Sequence, residues 1–191
     1  MIPTIRIVKV PAPLDDEVVR SLMPFVPAEK RDRIRRQKIR QNADNMLAGA
    51  VLARYLLWRE FRIPYTAVIA YGPYGKPYLL DYPEVHFNIS HSGQYVASAV
   101  CDRSVGIDIQ EIVPYSVDVA AAVCNLEEMA YLKASTVPAR EFARIWTKKE
   151  AFAKLTGSGI AEGVKDIRFP EDVHFWQFDY DGYMVAAAYM E

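Results

Sequence analysis

The sequence predicts a mixed α/β protein of the α+β type, in which one set of strands and helices is followed by a second set. The predicted order over the 191 residues is strand, helices and strands, then helices and strands. The run Tyr95-Val-Ala-Ser-Ala-Val100 is echoed near the end of the chain by Tyr183-Met-Val-Ala-Ala-Ala-Tyr189. The echo indicates an internal duplication with a boundary near residues 102–106.

In the first half, β-branched runs indicate strands, and apolar residues spaced three and four apart indicate helices. The longest helical pattern runs from Asn42 to Phe61 and is ended by Pro64. The small polar residues Ser90-His-Ser-Gly93 are interpreted as a tight turn with exposed backbone N–H groups. The other expected elements are a short helix over Leu14–Leu22 and strands over Thr4–Val10, Val68–Tyr71, Val85–Ile89 and Tyr95–Val100.

The second half is predicted to start with a strand over Val105–Ile109, after a polar turn. A helical pattern from Val117 to Lys133 is broken at Asn125, which resembles the cap of a second helix. A further helix covers Phe142–Gly157, with Gly157 as its stop signal. The remaining predicted strands are Ile167–Phe169, Val173–Tyr180 and Tyr183–Met190, the last two joined by a Tyr-Asp-Gly turn.

Composition narrows the class of protein. The chain is 51% hydrophobic, and 23 Lys+Arg are balanced by 24 Asp+Glu, so its net charge does not predict a nucleic-acid or membrane partner. No run approaches roughly 18 apolar residues, and the N-terminus has no basic segment leading into an apolar one. We therefore expect a cytoplasmic protein. Cys101 and Cys124 lack CxxC spacing and are interpreted as reduced packing residues, and the histidines have no zinc-ligand spacing.

Three polar segments each allow a structural and a functional interpretation. The basic run Glu29–Arg40 is either a solvated helix face or a site for a phosphate or acidic partner. The loop Gly72–Tyr78 is either a connector or a pre-organised support that holds Lys76 beside a flat or anionic ligand. His91 is either structural or a ligand-binding imidazole.

The Phe142–Gly157 helix carries charge on an apolar stripe formed by Phe142, Ile145, Trp146, Phe152 and Ala153. Lys149 falls within this stripe, Glu150 lies on its edge, and Lys154 follows one turn later. The structural interpretation is a solvated Glu150–Lys154 ion pair with Lys149 extending outward. The alternative is that these side chains belong to a functional site.

Asp108 favours a functional site, because it lies on the apolar strand Val105–Ile109, where an unpaired carboxylate is costly. Its partner could be Lys149 or Arg103. If strand and helix pack together, Asp108 and Glu150 converge and form an oxygen site of the kind that binds Mg²⁺ together with substrate phosphates.

Four motifs, taken in order, resemble the Sfp-type 4′-phosphopantetheinyl transferases. They are Tyr74-Gly-Lys-Pro-Tyr78, Phe87-Asn-Ile-Ser-His-Ser-Gly93, Gly106-Ile-Asp-Ile109 and Trp146-Thr-Lys-Lys-Glu-Ala-Phe-Ala-Lys154. Each motif alone is weak, but the ordered set with its spacing is specific. The resemblance covers about Pro27 to Gly157 and continues faintly toward the C-terminus.

The resemblance implies two similar lobes, 1–104 and 105–191, related by a pseudo-twofold axis. Each would be a small, mostly antiparallel sheet with a packed long helix, and the active site would lie in the cleft between them. It implies a monomer, a pseudo-dimer of lobes. The implied reaction is Mg²⁺-dependent transfer of the 4′-phosphopantetheine of coenzyme A to a serine of an apo acyl or peptidyl carrier protein, which releases adenosine 3′,5′-bisphosphate.

The resemblance also assigns site residues. The implied catalytic residues are Asp108, Glu150 and Lys154; the implied metal ligands are Asp108, Gln110 and Glu150; and the implied coenzyme A contacts are Lys30, Arg33, Lys76, Pro77, Ser90, His91 and Lys154. Gln110 departs from the pattern, since many bacterial members have Glu there. Its neutral amide adds no charge, so we expect a weaker ligand. Glu150 is the candidate for accepting the serine proton.

Two rival functions remain open. A coenzyme A- or nucleotide-binding regulatory module would share the pocket but would not need Asp108, Glu150 and Lys154 together. A nucleic-acid binder would use the run Lys30–Arg40 and bind in a salt-sensitive way. Balanced net charge and the lack of an RNP or zinc pattern argue against this second rival.

Overall fold

The protein was analysed as a computed structural model, which describes residues 2–11, 13–159 and 163–190. Its helices are α1 (Asp16–Leu22), α2 (Ala28–Arg35), α3 (Arg40–Phe61), α4 (Val117–Val123), α5 (Leu126–Ala134) and α6 (Pro138–Thr156). Its strands are β1 (Thr4–Lys9), β2 (Ile69–Tyr71), β3 (Pro77–Leu79), β4 (His86–Ser92), β5 (Tyr95–Cys101), β6 (Val105–Glu111), β7 (Val173–Tyr180) and β8 (Tyr183–Met190). Short 3₁₀ turns cover Met23–Phe25 and Val164–Asp166.

Two three-stranded antiparallel sheets have the same strand order. The first is β1-β5-β4 and the second is β6-β8-β7, so in both the last strand lies between the first and the penultimate one. A small hairpin, β2-β3, stands apart from both sheets. The mixed α/β class with small antiparallel sheets is therefore confirmed.

The inner faces of the two sheets pack against each other. β5, β6 and β8 supply the buried residues of this core, including Ala97, Ile107 and Val185. Each large aliphatic side chain buried there contributes roughly 1.5–3 kcal/mol to folding. The alternation of β6 is what matters for function, because Ile107 and Ile109 point into this core and Asp108 therefore points to the other face.

At one edge the sheets are joined by side chains instead of a backbone ladder. The Ile107 N–H donates to Asn88 Oδ1 at 3.2 Å, and the Glu111 N–H donates to Ser92 Oγ at 3.1 Å. Both bonds join residues 19 positions apart, so β4 and β6 run parallel to each other. This contact brings Ser90, between the two bridging residues of β4, beside Asp108.

The long helices cover the outer faces of the sheets. α3 packs on β4 and β5 through residues such as Leu56, Leu57 and Phe87. α6 packs on β6 and β8 through Ala151 and Leu155. α6 ends as predicted at Gly157, whose φ of 71° suits a residue without a side chain.

The echoed tyrosines at the starts of β5 and β8 meet between the sheets, with ring centroids 4.9 Å apart. The Tyr95 hydroxyl donates to Asp181 in the turn of the second sheet. The Tyr183 hydroxyl occupies the space beside Gly93 in the turn of the first sheet, where a Cβ would lie 2.3 Å from it. Each tyrosine therefore supports the turn of the opposite sheet.

Most predicted elements are confirmed, including the break at Asn125, where Asn125 and Glu128 form a capping box. Two predictions are wrong. Residues 90–92 are not a turn, because β4 continues to Ser92 and the chain turns at Gly93 and Gln94. Residues 167–169 are not a strand; Phe169 instead packs edge-on against Phe152 and Phe175.

The structure also bears on the cysteines and on membrane-spanning helices. Neither Cys101 nor Cys124 forms a disulfide, and both are buried, as the sequence predicts. Within residues 2–11, 13–159 and 163–190, no helix combines the length and apolarity that crossing a membrane requires.

Candidate active site

Close packing of α6 on β6 brings Glu150 and Lys154 to Asp108. The contact depends on Gly106, since a Cβ at this position would lie 2.0 Å from the Ala151 carbonyl oxygen and 2.4 Å from the Leu155 nitrogen. Asp108 follows two residues later on the same face of β6. A backbone approach this close allows side chains from the last turns of α6 to reach the Asp108 carboxylate.

Asp108 has one paired and one unpaired carboxylate oxygen. Its Oδ1 accepts a hydrogen bond from Ser90 Oγ at 2.7 Å and contacts Lys154 Nζ at 2.6 Å. Lys154 also donates to Ser90 Oγ at 2.9 Å. Asp108 is 5% exposed, and within the described part of the chain nothing hydrogen-bonds to its buried Oδ2. A buried carboxylate oxygen without a partner is costly, so a cation is the expected occupant.

Glu150 is the second carboxylate of this site. Burial raises its pKa; Lys154 opposes this shift and the negative charge of Asp108 adds to it. Two neighbouring carboxylates fit a divalent cation, which would favour both charged forms. Across the described residues, no group of three or more His, Cys, Asp or Glu side chains could hold a metal. One or two protein carboxylates, with water and phosphate completing the shell, are a ligand set that Mg²⁺ commonly uses.

Gln110 occupies the next position on the Asp108 face of β6. Its Nε2 donates to the Glu111 carbonyl at 3.3 Å, so the amide nitrogen has a backbone partner and the amide oxygen is the group available to a cation. Its neutral amide leaves the negative charge of the site to Asp108 and Glu150, and its role as a metal ligand stays a prediction.

A cationic cluster lies at the other end of the site. Lys30 and Arg33 of α2 line a cavity of about 360 Å³ together with Tyr71, Gly75, Pro77 and Ile89. Burial first, and then the charge of Arg33, lowers the pKa of Lys30 to about 8. Burial also lowers the pKa of His91, and the charges of Lys154 and Lys30 lower it further. The neighbouring cations that lower the pKa of Lys30 and of His91 favour a bound anion.

The cationic cluster and the carboxylates share one cleft. A second cavity of about 270 Å³ is lined by Glu150 and Lys154, and it shares Gly75, Pro77 and Ile89 with the first. β4 connects the ends, because Ser90 contacts Asp108, Ile89 lines both cavities, and His91 is close enough to Lys154 and Lys30 for both charges to lower its pKa. The cleft is therefore long, cationic at one end and acidic at the other.

Two predicted contacts have additional roles in the fold. Lys76 lines the second cavity, but its ammonium donates to the Leu155 carbonyl and, at 3.1 Å, to Ser104 Oγ. Burial lowers the pKa of Lys76 to about 8. Ser90 is buried, and its hydroxyl is engaged by Asp108 and Lys154 instead of lining either cavity.

Several expectations about charged residues are wrong. Lys149 does not extend outward and does not contact Asp108; it is 1% exposed and donates to Glu128 and to the carbonyls of Val123 and Lys165. The cation at Asp108 is Lys154, not Lys149 or Arg103. Lys149 thus anchors α6 to α5 and to the segment that follows α6.

Comparisons with known proteins agree with this geometry. The 4′-phosphopantetheinyl transferase N-terminal model matches residues 12–103, and the 4′-phosphopantetheinyl transferase superfamily model matches residues 104–177. A 4′-phosphopantetheinyl transferase of Bacillus pumilus is 38% identical over 169 residues, covering 84% of this chain and 72% of that protein. The 4′-phosphopantetheinyl transferase Sfp of Bacillus subtilis is 34% identical over 152 residues, covering 78% and 68%.

The chain belongs to the 4′-phosphopantetheinyl transferase superfamily. It is accordingly a transferase. A putative 4′-phosphopantetheinyl transferase of Synechocystis, 28% identical over 174 residues, covers 87% of this chain and 71% of that protein.

Sequence reasoning missed some residues that shape the cleft of this transferase. Asn88 holds β4 against β6, Tyr71 and Tyr74 line the two cavities, and Gly106 sets the distance of α6. The signal for Gly106 was available, because a glycine inside a strand often marks a close backbone approach. No local signal identifies the other three.

Proposed function

We propose that this transferase moves the 4′-phosphopantetheine arm of coenzyme A to a serine of an apo acyl or peptidyl carrier protein, in a Mg²⁺-dependent reaction that releases adenosine 3′,5′-bisphosphate. The observation that carries the proposal is the cleft, with Lys30, Arg33 and His91 at one end and Asp108, Glu150 and Lys154 at the other. Coenzyme A carries a 3′-phosphate and a pyrophosphate in the same molecule, so one substrate would use both ends.

At the cationic end, Lys30, Arg33 and His91 would bind the 3′-phosphate. Charge-assisted hydrogen bonds to a phosphate are worth roughly 1.5–3 kcal/mol each. Pro77, Lys76 and neighbouring backbone groups would support the adenine, because this loop borders both cavities.

At the acidic end, Asp108 and Glu150, with Gln110 as a weaker third ligand, would hold Mg²⁺, which supplies positive charge for the pyrophosphate oxygens. Lys154 would bind the same pyrophosphate, since its side chain is 28% exposed and borders the cavity. Ser90 would keep Asp108 oriented through its 2.7 Å hydrogen bond.

Glu150 would accept the proton of the attacking serine. Burial raises its pKa and makes it a better proton acceptor than an exposed carboxylate. Phosphoryl transfer otherwise depends on in-line positioning and charge neutralisation, so the chain needs no nucleophile of its own.

We also infer that the protein works as two lobes, 1–104 and 105–191, in one cytoplasmic monomer without a nucleic-acid partner. The repeated strand order and the change of family model between residues 103 and 104 support the division. Two buried cysteines that form no disulfide support a reducing compartment.

The deciding experiment incubates the protein with coenzyme A, Mg²⁺ and an apo carrier protein, and then weighs the carrier by mass spectrometry. We expect a mass increase of one phosphopantetheine and release of adenosine 3′,5′-bisphosphate. Asp108→Ala serves as the control that keeps the cationic end. Coenzyme A binding without carrier modification would favour the regulatory module, and salt-sensitive binding of RNA or DNA alone would favour the nucleic-acid binder.

A further inference from the structure

A protein cation contacts the carboxylate that is proposed to bind the metal. Lys154 Nζ lies 2.6 Å from Asp108 Oδ1 and 2.9 Å from Ser90 Oγ, while the buried Asp108 Oδ2 has no partner among the described residues. Half of the carboxylate is thus occupied by Lys154 and half is left for another cation.

We propose that Lys154 is an internal competitor for the divalent cation, and that the pyrophosphate of coenzyme A moves it away from Asp108. The metal would then bind strongly only together with the anion that attracts the lysine. This inference rests on the proposed function, because it takes Asp108 and Glu150 as the metal ligands.

The charges of the site support the competition. Asp108 and Glu150 are neighbouring carboxylates, and Lys154 is a cation that contacts Asp108 and whose charge also acts on Glu150. A divalent cation that arrives alone meets this positive charge beside its ligand, and like charges that share a partly buried site repel each other. It also faces a pre-existing ion pair that it must break.

The exposure and the flexible stem of Lys154 support its proposed move from Asp108 to the pyrophosphate. Lys154 is partly exposed and borders the cavity in which the pyrophosphate is proposed to bind. Its flexible four-carbon stem allows the ammonium to move without a shift of α6. A pyrophosphate oxygen would then replace the Asp108 oxygen as its partner, and Asp108 would be able to offer both oxygens to the metal.

The proposed coupling between metal binding and coenzyme A binding can be measured from either ligand. If coenzyme A raises metal affinity by a given factor, the metal raises coenzyme A affinity by the same factor. Adenosine 3′-monophosphate carries the 3′-phosphate but neither phosphate of the pyrophosphate, so it should fill the cationic end without moving Lys154. The two ligands therefore separate the effect of pyrophosphate from that of occupying the cleft.

The test measures Mn²⁺ binding to the full chain by the electron paramagnetic resonance of free Mn²⁺, alone and with each ligand. For the wild-type protein we expect coenzyme A to tighten Mn²⁺ binding by roughly 10-fold or more, within the usual range of coupling between sites, and adenosine 3′-monophosphate to leave it unchanged. Lys154→Met should bind Mn²⁺ alone several-fold more tightly than wild type, and its coenzyme A effect should be smaller by about the same factor, with the remainder due to direct ligation by phosphate.

Two matched variants control for the charge at position 154 and for the loss of a lysine from the same helix. Lys154→Arg retains the positive charge and should bind Mn²⁺ alone as weakly as wild type. Lys148→Met removes a lysine of the same helix whose ammonium lies over the Phe169 and Phe175 rings, at 4.5 and 4.6 Å, and it should behave as wild type. Circular dichroism and thermal unfolding would verify that each variant folds.

The outcomes distinguish this inference from the proposed function. If Lys154→Met binds Mn²⁺ alone no more tightly than wild type while Asp108→Ala abolishes binding, the metal site is retained and the competition is rejected. If Asp108→Ala leaves Mn²⁺ binding unchanged, the metal site itself is wrong and both proposals are rejected. Equal effects of coenzyme A and adenosine 3′-monophosphate would also reject a pyrophosphate-driven release.

Discussion

The two sheets share a strand order, but they carry side chains of opposite charge at one pair of equivalent positions. Asp108 pairs with Ala186, three residues after Tyr183, and Arg6 pairs with Ser98, three residues after Tyr95. Asp108 is buried beneath α6, whereas Arg6 is exposed and its guanidinium donates to its neighbour's carbonyl. The repeated topology thus creates two equivalent positions, and the side chain and its helix determine which becomes a candidate site.

The helices differ in how they approach their sheets. The backbone of α6 comes close to the backbone of β6, because Gly106 has no Cβ to hold the helix and the strand apart. α3 carries its glycine on the helix, and Gly49 faces Ile89 of β4 and Val96 of β5. A glycine on the strand therefore brings helix side chains to a strand carboxylate, and a glycine on the helix produces an apolar contact.

The largest expected effect follows from changing the two equivalent positions. Asp108→Asn should reduce kcat/KM for carrier modification by roughly 100-fold or more, as expected when one electrostatic group at the reacting centre is lost. Arg6→Asn should leave kcat/KM within about 2-fold, because an exposed side chain far from structural features contributes little. Steady-state kinetics with coenzyme A and one apo carrier measure both.

Thermal unfolding must accompany these kinetics, because Asp108 is buried and Asn could weaken the fold. A folded Asp108→Asn protein with near-normal turnover would contradict the assignment of this carboxylate to the active site. A comparable loss in Arg6→Asn would contradict the functional difference between the sheets.

The second prediction compares the glycines. Gly106→Ala should lower the free energy of unfolding by about 1–3 kcal/mol, the cost of overpacking, because the new Cβ would meet the Ala151 and Leu155 backbone at 2.0 and 2.4 Å. Gly49→Ala should be close to neutral. Its Cβ would meet the movable Ile89 Cγ2 at 2.8 Å, and the alanine regains up to about 1 kcal/mol of helix propensity.

Urea denaturation of both variants provides the measurement. Because α6 carries Glu150 and Lys154, activity should fall in Gly106→Ala even under conditions where the protein is folded. Equal losses of stability in the two variants would mean that the approach of α6 is no closer than that of α3.

The secondary structure could be predicted from the sequence wherever a local pattern decides it. Strand alternation, helical spacing and the cap at Asn125 are properties of neighbouring residues, and those elements are confirmed. Residues 90–92 were interpreted wrongly because their small polar side chains resemble a turn. In the structure, Ser92 bonds to the Glu111 backbone, and this partner is 19 residues away.

The partners of the charged residues could likewise be predicted only in part from the sequence. Asp108 and Glu150 could be paired from alternation and helix faces, but the partner of Asp108 could not be chosen among nearby cations. Lys149 is satisfied by Glu128 and by carbonyls 16 and 26 residues away, which no periodicity reveals. The roles of the coenzyme A contacts came from resemblance and remain predictions.

The third prediction addresses the cationic end. The pKa of Lys30 is about 8, so Lys30 loses its proton as pH rises through 8 in the free protein. A bound 3′-phosphate would favour the charged form and raise this pKa, and binding would take up a proton. Affinity for coenzyme A should therefore be retained below pH 8 and fall as pH increases above it.

Isothermal titration calorimetry between pH 7 and 9.5 would measure this dependence. Lys30→Arg should abolish the fall, because arginine stays charged throughout this range. With 3′-dephospho-coenzyme A the fall should disappear in the wild-type protein; this comparison also controls for Lys76, whose pKa is about 8 as well. A pH dependence that persists with 3′-dephospho-coenzyme A would assign it to another group.

The smallest expected effect concerns carrier docking by the basic run. Within the basic run Glu29–Arg40, Arg40 does not offer a free charge, because it is engaged by Asp44 at 3.0 Å, by the Leu14 carbonyl and by Asp16. Arg36 and Lys38 have exposed side chains and are the better pair for a test. An acidic carrier would be attracted by them mainly during association.

Reversing both charges, as Arg36→Glu with Lys38→Glu, should raise the Michaelis constant for an acidic carrier by a few-fold and leave that for coenzyme A unchanged. The difference from wild type should shrink with added salt, because exposed charges are screened over about 8–10 Å at physiological ionic strength. Arg20→Glu with Arg168→Glu makes the same change in net charge at exposed positions of other segments. If this control raises the carrier's Michaelis constant equally, net charge explains the effect. If neither double variant differs from wild type at low salt, carrier docking depends on apolar contacts.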